Sequence, residues 1–263
     1  MNDKFSQYYF LGIGGIGMSA IARYFNAKGY AVGGYDRTET KLTNDLTAEG
    51  VEVNYEESET VIPDRFRDAK KTLVVITPAV QSDHAQLEYF RNHNFKILKR
   101  SEILGQITRS SKAICIAGTH GKTTTSTMTA HLMHQSHVEC SAFLGGISNN
   151  YNTNLLLSTQ SNFVVVEADE YDRSFHHLTP YMAVITSLEA DHLDIYGTYE
   201  AVIESFQHFA SLITPGGALI LNEKINIEPK LNKGVKFFTY GMNETSDFHA
   251  NNIRIIKENI YFD

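Results

Sequence analysis

Short apolar runs alternate along the chain with stretches of helical spacing. Tyr8 to Ile13, Tyr30 to Tyr35, Thr72 to Thr77 and Lys96 to Leu98 read as strands, and Ile16 to Lys28 between the first two reads as a helix. A second series follows at Ala113 to Ala117, Cys140 to Leu144, Phe163 to Glu167, Ala183 to Thr186, Ala218 to Leu221 and Val235 to Thr239. Strands that alternate with helices predict the α/β class, with parallel sheets covered by helices. The polar break Arg109-Ser110-Ser111-Lys112 separates the two series and predicts two domains, residues 1–109 and 110–263. Thr123 to His134 reads as a helix with Met128, Leu132 and Met133 on one side. Phe248 to Asp263 alternates polar and apolar residues like a strand pair, and no further terminal element is visible after it.

Composition narrows the picture. A chain of 263 residues can bury two cores, and its net charge of -7 argues against nonspecific binding to nucleic acid or to an anionic membrane. Cys115 and Cys140 are the only cysteines, and each lies in an apolar run, so they read as buried thiols in a reducing compartment rather than a disulfide or metal pair. The N-terminus lacks a signal-peptide pattern and no apolar run reaches the roughly 20 residues that span a bilayer, so the expected location is the cytoplasm.

The most informative segment runs from Ala113 to Thr125, where an apolar strand enters Gly118-Thr119-His120-Gly121-Lys122-Thr123-Thr124-Thr125. Glycines let a backbone turn its amides toward phosphate, a lysine reaches the outer phosphates, and a threonine hydroxyl can ligate magnesium. The loop is shorter than the general phosphate-loop pattern, since Ile116 stands where the first glycine belongs and Gly118 is only three residues before Gly121. Gly118 to Thr124 are the candidate nucleotide-binding residues.

In the first unit, Gly12-Ile13-Gly14-Gly15-Ile16-Gly17 follows a strand and opens a helix, the arrangement that holds a pyrophosphate. Asp36 falls near the spacing of a ribose-binding acid, with Arg37 beside it, so a Rossmann-like domain is expected. NAD(P) in a dehydrogenase and a nucleotide-sugar both fit these residues. A second phosphate loop favours the nucleotide-sugar, because a dehydrogenase has no use for it.

Four motifs stand in order: Gly12 to Ser19, Gly118 to Thr125, Glu167-Ala168-Asp169-Glu170 and Glu189-Ala190-Asp191-His192-Leu193-Asp194. In this the chain resembles the Mur ligases, and the first motif is most similar to their alanine-adding branch. The resemblance implies a Rossmann-like domain for the UDP-sugar, a central ATPase-type domain that is incomplete here, and a third domain lying beyond Asp263. It implies ATP and magnesium as cofactors, UDP-N-acetylmuramate and L-alanine as partners, and an acyl phosphate formed on the lactyl carboxylate in peptidoglycan precursor synthesis. Between Lys122 and Lys224 the chain has no lysine, so the carbamylated lysine of several other branches is missing. The murein-peptide-recycling branch, a dehydrogenase and a noncatalytic nucleotide-sugar-binding module remain alternatives.

By the same resemblance Lys122 bridges the outer phosphates, Thr123 and Glu167 hold one magnesium, and His192 helps place a second. Lys122, Glu167 and His192 are the implied catalytic residues. Gly14, Gly15 and Ile16 meet the diphosphate, Asp36 and Arg37 lie near the nucleoside, Thr77 forms a further wall, and Asn154 approaches the acyl sugar. Asp169, Glu170 and Asp172 read as a solvated acidic turn in which one acid could support the site from behind its ligands, with no role assigned.

Overall fold

The computed structural model describes residues 5–257 and 259–263, so Met1 to Lys4 lie outside the described residues. Its first layer contains β1 (Gln7–Leu11), α1 (Ile16–Ala27), β2 (Ala31–Tyr35), α2 (Lys41–Ala48), β3 (Glu52–Asn54), β4 (Thr72–Ile76), α3 (Ala85–Asn92), β5 (Lys96–Lys99) and α4 (Arg100–Arg109). The five strands pair in parallel in the order β3-β2-β1-β4-β5. β1 sits at the centre with Tyr9, Phe10 and Leu11 fully buried, which explains its unbroken apolar run.

The second layer begins with β6 (Lys112–Ala117), α5 (Lys122–His134), β7 (Ser141–Ser148), β8 (Thr153–Leu156), β9 (Phe163–Glu167) and β10 (Pro180–Ile185). It continues through α6 (Leu193–Tyr196), α7 (Tyr199–Ser211), β11 (Ala218–Asn222), β12 (Lys236–Gly241) and β13 (Phe248–His249). The sheet order is β13-β12-β11-β10-β6-β9-β7-β8, parallel except for the β7–β8 pair. A hairpin of β14 (Arg254–Ile256) and β15 (Asn259–Tyr261) follows. Both cysteines are free and buried.

The α/β class and the parallel sheets agree with the strand pattern. Two strands were not legible. β3 is short and only half-buried, and β8 is an edge strand reached through a tight turn from β7. The helix after the phosphate loop presents a different face from the one expected. Ser126 and Ala130 face the sheet with Met133 partly covered, whereas Met128 and Leu132 are exposed. Small side chains at the i, i+4 positions let α5 lie close to β7 and β9, and Met128 and Leu132 fall about 200° around the helix from that stripe.

The two layers share one core. Tyr24 of α1 packs on Phe143 of β7 with ring centroids 5.3 Å apart. Gly105 of α4 lies so close to the His177 carbonyl that a methyl group there would collide with it. Among the described residues no helix is long and apolar enough to cross a membrane.

Candidate active site

β6 delivers the phosphate loop at its C-terminal end, next to the ends of β9 and β10. Gly118 and Gly121 have φ of +136° and +83°, in the region that favours glycine, and a methyl on Gly118 would strike the Thr186 hydroxyl. Residues just after β10 brace the loop. The Thr186 hydroxyl faces the carbonyls of Ala117 at 3.0 Å and His120 at 2.5 Å, the Ser187 carbonyl accepts from Thr119 N–H at 3.2 Å, and its hydroxyl accepts from His120 N–H at 2.7 Å. The cradle is therefore narrower than the sequence implied, because the amides of Thr119 and His120 are committed to Ser187. The amides of Lys122, Thr123 and Thr124 remain, since the first intrahelical bond of α5 runs from Thr125 to Gly121. His120's ring is exposed and lies 3.4 Å from Glu189.

Lys122 Nζ donates to the Gly118 carbonyl at 2.6 Å and to Glu170 Oε1 at 2.7 Å. Glu170 is 1% exposed, which corrects the reading of a solvated acidic turn. The 3-10 turn Tyr171–His177 wraps over it, and the Tyr196 hydroxyl donates to its carbonyl at 2.6 Å. Such burial depends on contacts distant in sequence, so the local string of acids could not reveal it. His192 joins this cluster, with Nε2 3.8 Å from Glu170 Oε1, rather than sitting on Glu167. Its φ of +53° and the edge-on contact with Tyr171 fix its ring.

Glu167 closes β9 and lies against Gly145 of β7, where any side chain would overlap its carboxylate. Burial raises its pKa above the usual carboxylate value, opposed by a hydrogen bond from Thr123 and by the charge of Lys122. One of its oxygens is buried without a hydrogen-bond partner among the described residues. A hard, underused oxygen beside a threonine hydroxyl suits magnesium. No group of three His, Cys, Asp or Glu side chains among the described residues is arranged to hold a metal, so Thr123 and Glu167 fit an ion whose other ligands are phosphate and water.

In the first layer, Gly12 adopts φ +83° and packs on Thr77. Two expectations need correction here. The Gly14 amide is occupied by Asp36 Oδ2 at 2.7 Å and the Gly15 amide by the Gly12 carbonyl at 3.2 Å, so the open donors begin at Ile16 and include Gly17 and Met18. Asp36 also accepts from Thr38 N–H at 3.2 Å, so each of its oxygens already holds one backbone amide. Asn154 is fully buried: its amide donates to the Ile16 carbonyl at 2.6 Å and to Ser19 Oγ at 2.8 Å, and its oxygen accepts from Arg23 at 2.5 Å. It clasps β8 to α1 and exposes no polar atom to a sugar.

Two cavities meet at Gly15 and Thr77. One of about 820 Å³ is lined by Tyr35, Asp36, Arg37 and His84. The other, about 280 Å³, lies between the layers and is lined by Ile16, Gly17, Arg100, Gly145, Glu167 and Asp169. Arg100 Nη2 bonds Asp169 Oδ2 at 2.9 Å across the layer boundary. Sequence reasoning missed Arg100, because nothing in the local string at the β5–α4 junction marks it.

Two parallel-sheet layers flank one cavity, with the open start of α1 on its wall and a lysine-bearing phosphate loop in the second layer, an arrangement suited to two phosphate-bearing ligands. The Mur ligase family catalytic-domain model matches residues 7–112, and the Mur ligase middle-domain model matches residues 116–262. The chain belongs to the Mur ligase family. It is 60% identical over 255 residues to the UDP-N-acetylmuramate--L-alanine ligase of Phocaeicola vulgatus, covering 97% of this chain and 56% of that protein. The chain thus spans about half the length of the curated relatives it matches. Among solved structures it is similar to the UDP-N-acetylmuramate-alanine ligase of Thermotoga maritima (TM-score 0.79, 26% identity, 95% of this chain and 55% of that one). It shares its fold with the UDP-N-acetylmuramate:L-alanyl-gamma-D-glutamyl-meso-diaminopimelate ligase of Neisseria meningitides (TM-score 0.83, 23% identity, 95% of this chain and 82% of that one).

Proposed function

We propose that this chain is the sugar- and nucleotide-binding portion of an ATP-dependent ligase that joins L-alanine to the lactyl carboxylate of UDP-N-acetylmuramate in the cytoplasm. The observation that carries the reading is the cavity between the layers, which has the start of α1 on one wall and Glu167 on the other, with the phosphate loop behind it. Relatives of this name at high identity over nearly the whole chain support the substrate assignment.

A carboxylate does not condense with an amine at neutral pH unless it is activated. Transfer of the γ-phosphoryl group of ATP to the lactyl carboxylate gives an acyl phosphate and ADP, and the amine of L-alanine then displaces phosphate. The chain's part is to position anions and balance their charge. Lys122 and the amides of Lys122 to Thr124 grip the outer phosphates, and Glu170 fixes the lysine from behind. Thr123 and Glu167 would hold magnesium, which when bound offsets the charge of the two approaching anions. His192 steadies the Lys122–Glu170 pair and lies within reach of the same phosphates. The Ile16, Gly17 and Met18 amides receive the diphosphate, while Asp36 and Arg37 border the cavity for the nucleoside.

The test is turnover by the full-length protein. Supplied with UDP-N-acetylmuramate, L-alanine and magnesium ATP, it is expected to release ADP and phosphate in step with one new amide. ADP release that ignores UDP-N-acetylmuramate, or oxidation of NAD(P)H by the protein, contradicts the reading.

A further inference from the structure

Gly17, the last glycine of the first motif, is left bare by a cation. A methyl group at Gly17 would come within 2.7 Å of Arg100 Nη1 and 3.3 Å of Arg100 Cδ. The guanidinium therefore lies directly over the first turn of α1, beside the open amides of Ile16, Gly17 and Met18. Two positive features so close together repel each other unless anionic groups of a ligand offset them. Asp169 supplies part of the balance through one hydrogen bond at 2.9 Å. A guanidinium has five N–H donors, and among the described residues this is its only hydrogen bond, so a side chain that lines the cavity keeps donors to spare. The walls next to it include Leu104, Phe143 and Leu144, which lower the local dielectric and strengthen any charge contact made there.

We propose that Arg100 binds the carboxylate that is to be phosphorylated, on the side of the cavity that Glu167 and Asp169 line. The proposal rests on the ligase reading above and names the residue that grips the acid. An arginine fork matches a carboxylate in a bidentate fashion and cannot lose its charge. The diphosphate of the same ligand is the other candidate oxyanion. It is served by the α1 amides next to Thr77, where the nucleoside cavity opens, whereas Arg100 faces the other layer with Asp169 and Glu167 as neighbours. Asp169 keeps one arm of the fork in place and leaves the rest for the ligand.

The experiment is calorimetric titration of the chain with UDP-N-acetylmuramate and with UDP-N-acetylglucosamine, which shares the diphosphate and lacks the carboxylate. Arg100→Ala is expected to weaken the first at least tenfold and to change the second by less than about twofold, with Arg100→Lys falling between wild type and alanine. Asp169→Asn, which keeps the arginine, is expected to change the first by less than about threefold. Equal loss for both ligands assigns Arg100 to the diphosphate and overturns the proposal. A loss in Asp169→Asn that equals the loss in Arg100→Ala makes the pair a brace between layers and overturns it as well. Retained binding of a magnesium–nucleotide analogue shows that each variant is folded. A wild-type chain that binds neither UDP-sugar sinks the ligase reading itself, an outcome distinct from either of these.

Discussion

The starts of α1 and α5 use one local device for two different ends. Both are glycine turns after a central parallel strand, and both direct unpaired amides at an anion. The α5 loop carries its own cation, Lys122, and is braced by Ser187 and by the buried Glu170. The α1 loop carries none, and the cation beside it, Arg100, arrives from a helix more than eighty residues further along the chain. A self-contained loop can be recognised in the sequence as a motif. A site assembled from distant elements cannot, and its chemistry emerges only when the chain is folded.

The sharpest way to break this comparison is at Glu170, whose loss leaves Lys122 without its anion in a covered position. Glu170→Ala is expected to cost about 3–5 kcal/mol in chemical denaturation, with Glu170→Gln far milder because it keeps a polar partner. Equal effects of the two would mean that charge pairing does not organise the loop. Next in size is the clasp that orients α1. Asn154→Leu leaves Arg23 Nη1 without its partner while the rest of the guanidinium stays on Glu49, an expected loss of about 1–3 kcal/mol, with a weaker UDP-sugar site measured by titration and an unchanged nucleotide site. Ser187→Ala frees the His120 amide and the Thr119 hydroxyl, while the Thr119 amide stays on the backbone carbonyl of residue 187, at a cost of about 1 kcal/mol. It is expected to weaken nucleotide binding and leave UDP-sugar binding alone.

The smallest effect has the opposite sign. Glu167 has a folded-state pKa raised by burial, so its ionisation opposes folding above that pKa, and the penalty vanishes as pH falls below the unfolded value of 4.5. Glu167→Gln is expected to raise the Tm by roughly 2–4 °C at pH 7 and to leave it unchanged below pH 4. The same change is expected to abolish magnesium-dependent nucleotide binding. A variant that is less stable at pH 7 would show that the carboxylate is already satisfied in the absence of a cation.

Much of the fold was legible because both sheets are mostly parallel and their central strands are covered, so those strands are continuous apolar runs. Phe163 to Glu167 could be read to the residue, since β9 is buried along its length and ends on a charge. The face of α5 was misread because methionine and leucine outweigh serine and alanine on any hydropathy scale, whereas close helix–sheet packing selects the small pair Ser126 and Ala130. The acidic turn was misread for a related reason. Asp169, Glu170 and Asp172 look alike in sequence, yet only Glu170 is buried, bonded through its carbonyl to Tyr196 and through its carboxylate to Lys122. Asn154 was expected to touch a sugar and instead spends its amide on α1, a role set by which helix crosses β8 and invisible in the motif.

The central claim is that each layer holds its own anion, one at the start of α1 and one at the phosphate loop. Its most direct test is titration of a nonhydrolysable ATP analogue with magnesium into the chain, before and after saturation with UDP-N-acetylmuramate. The account predicts one analogue bound per chain in both cases, lost in Lys122→Gln while the UDP-sugar still binds. Displacement of one ligand by the other, or loss of both in Lys122→Gln, would mean a single shared phosphate site and would contradict it.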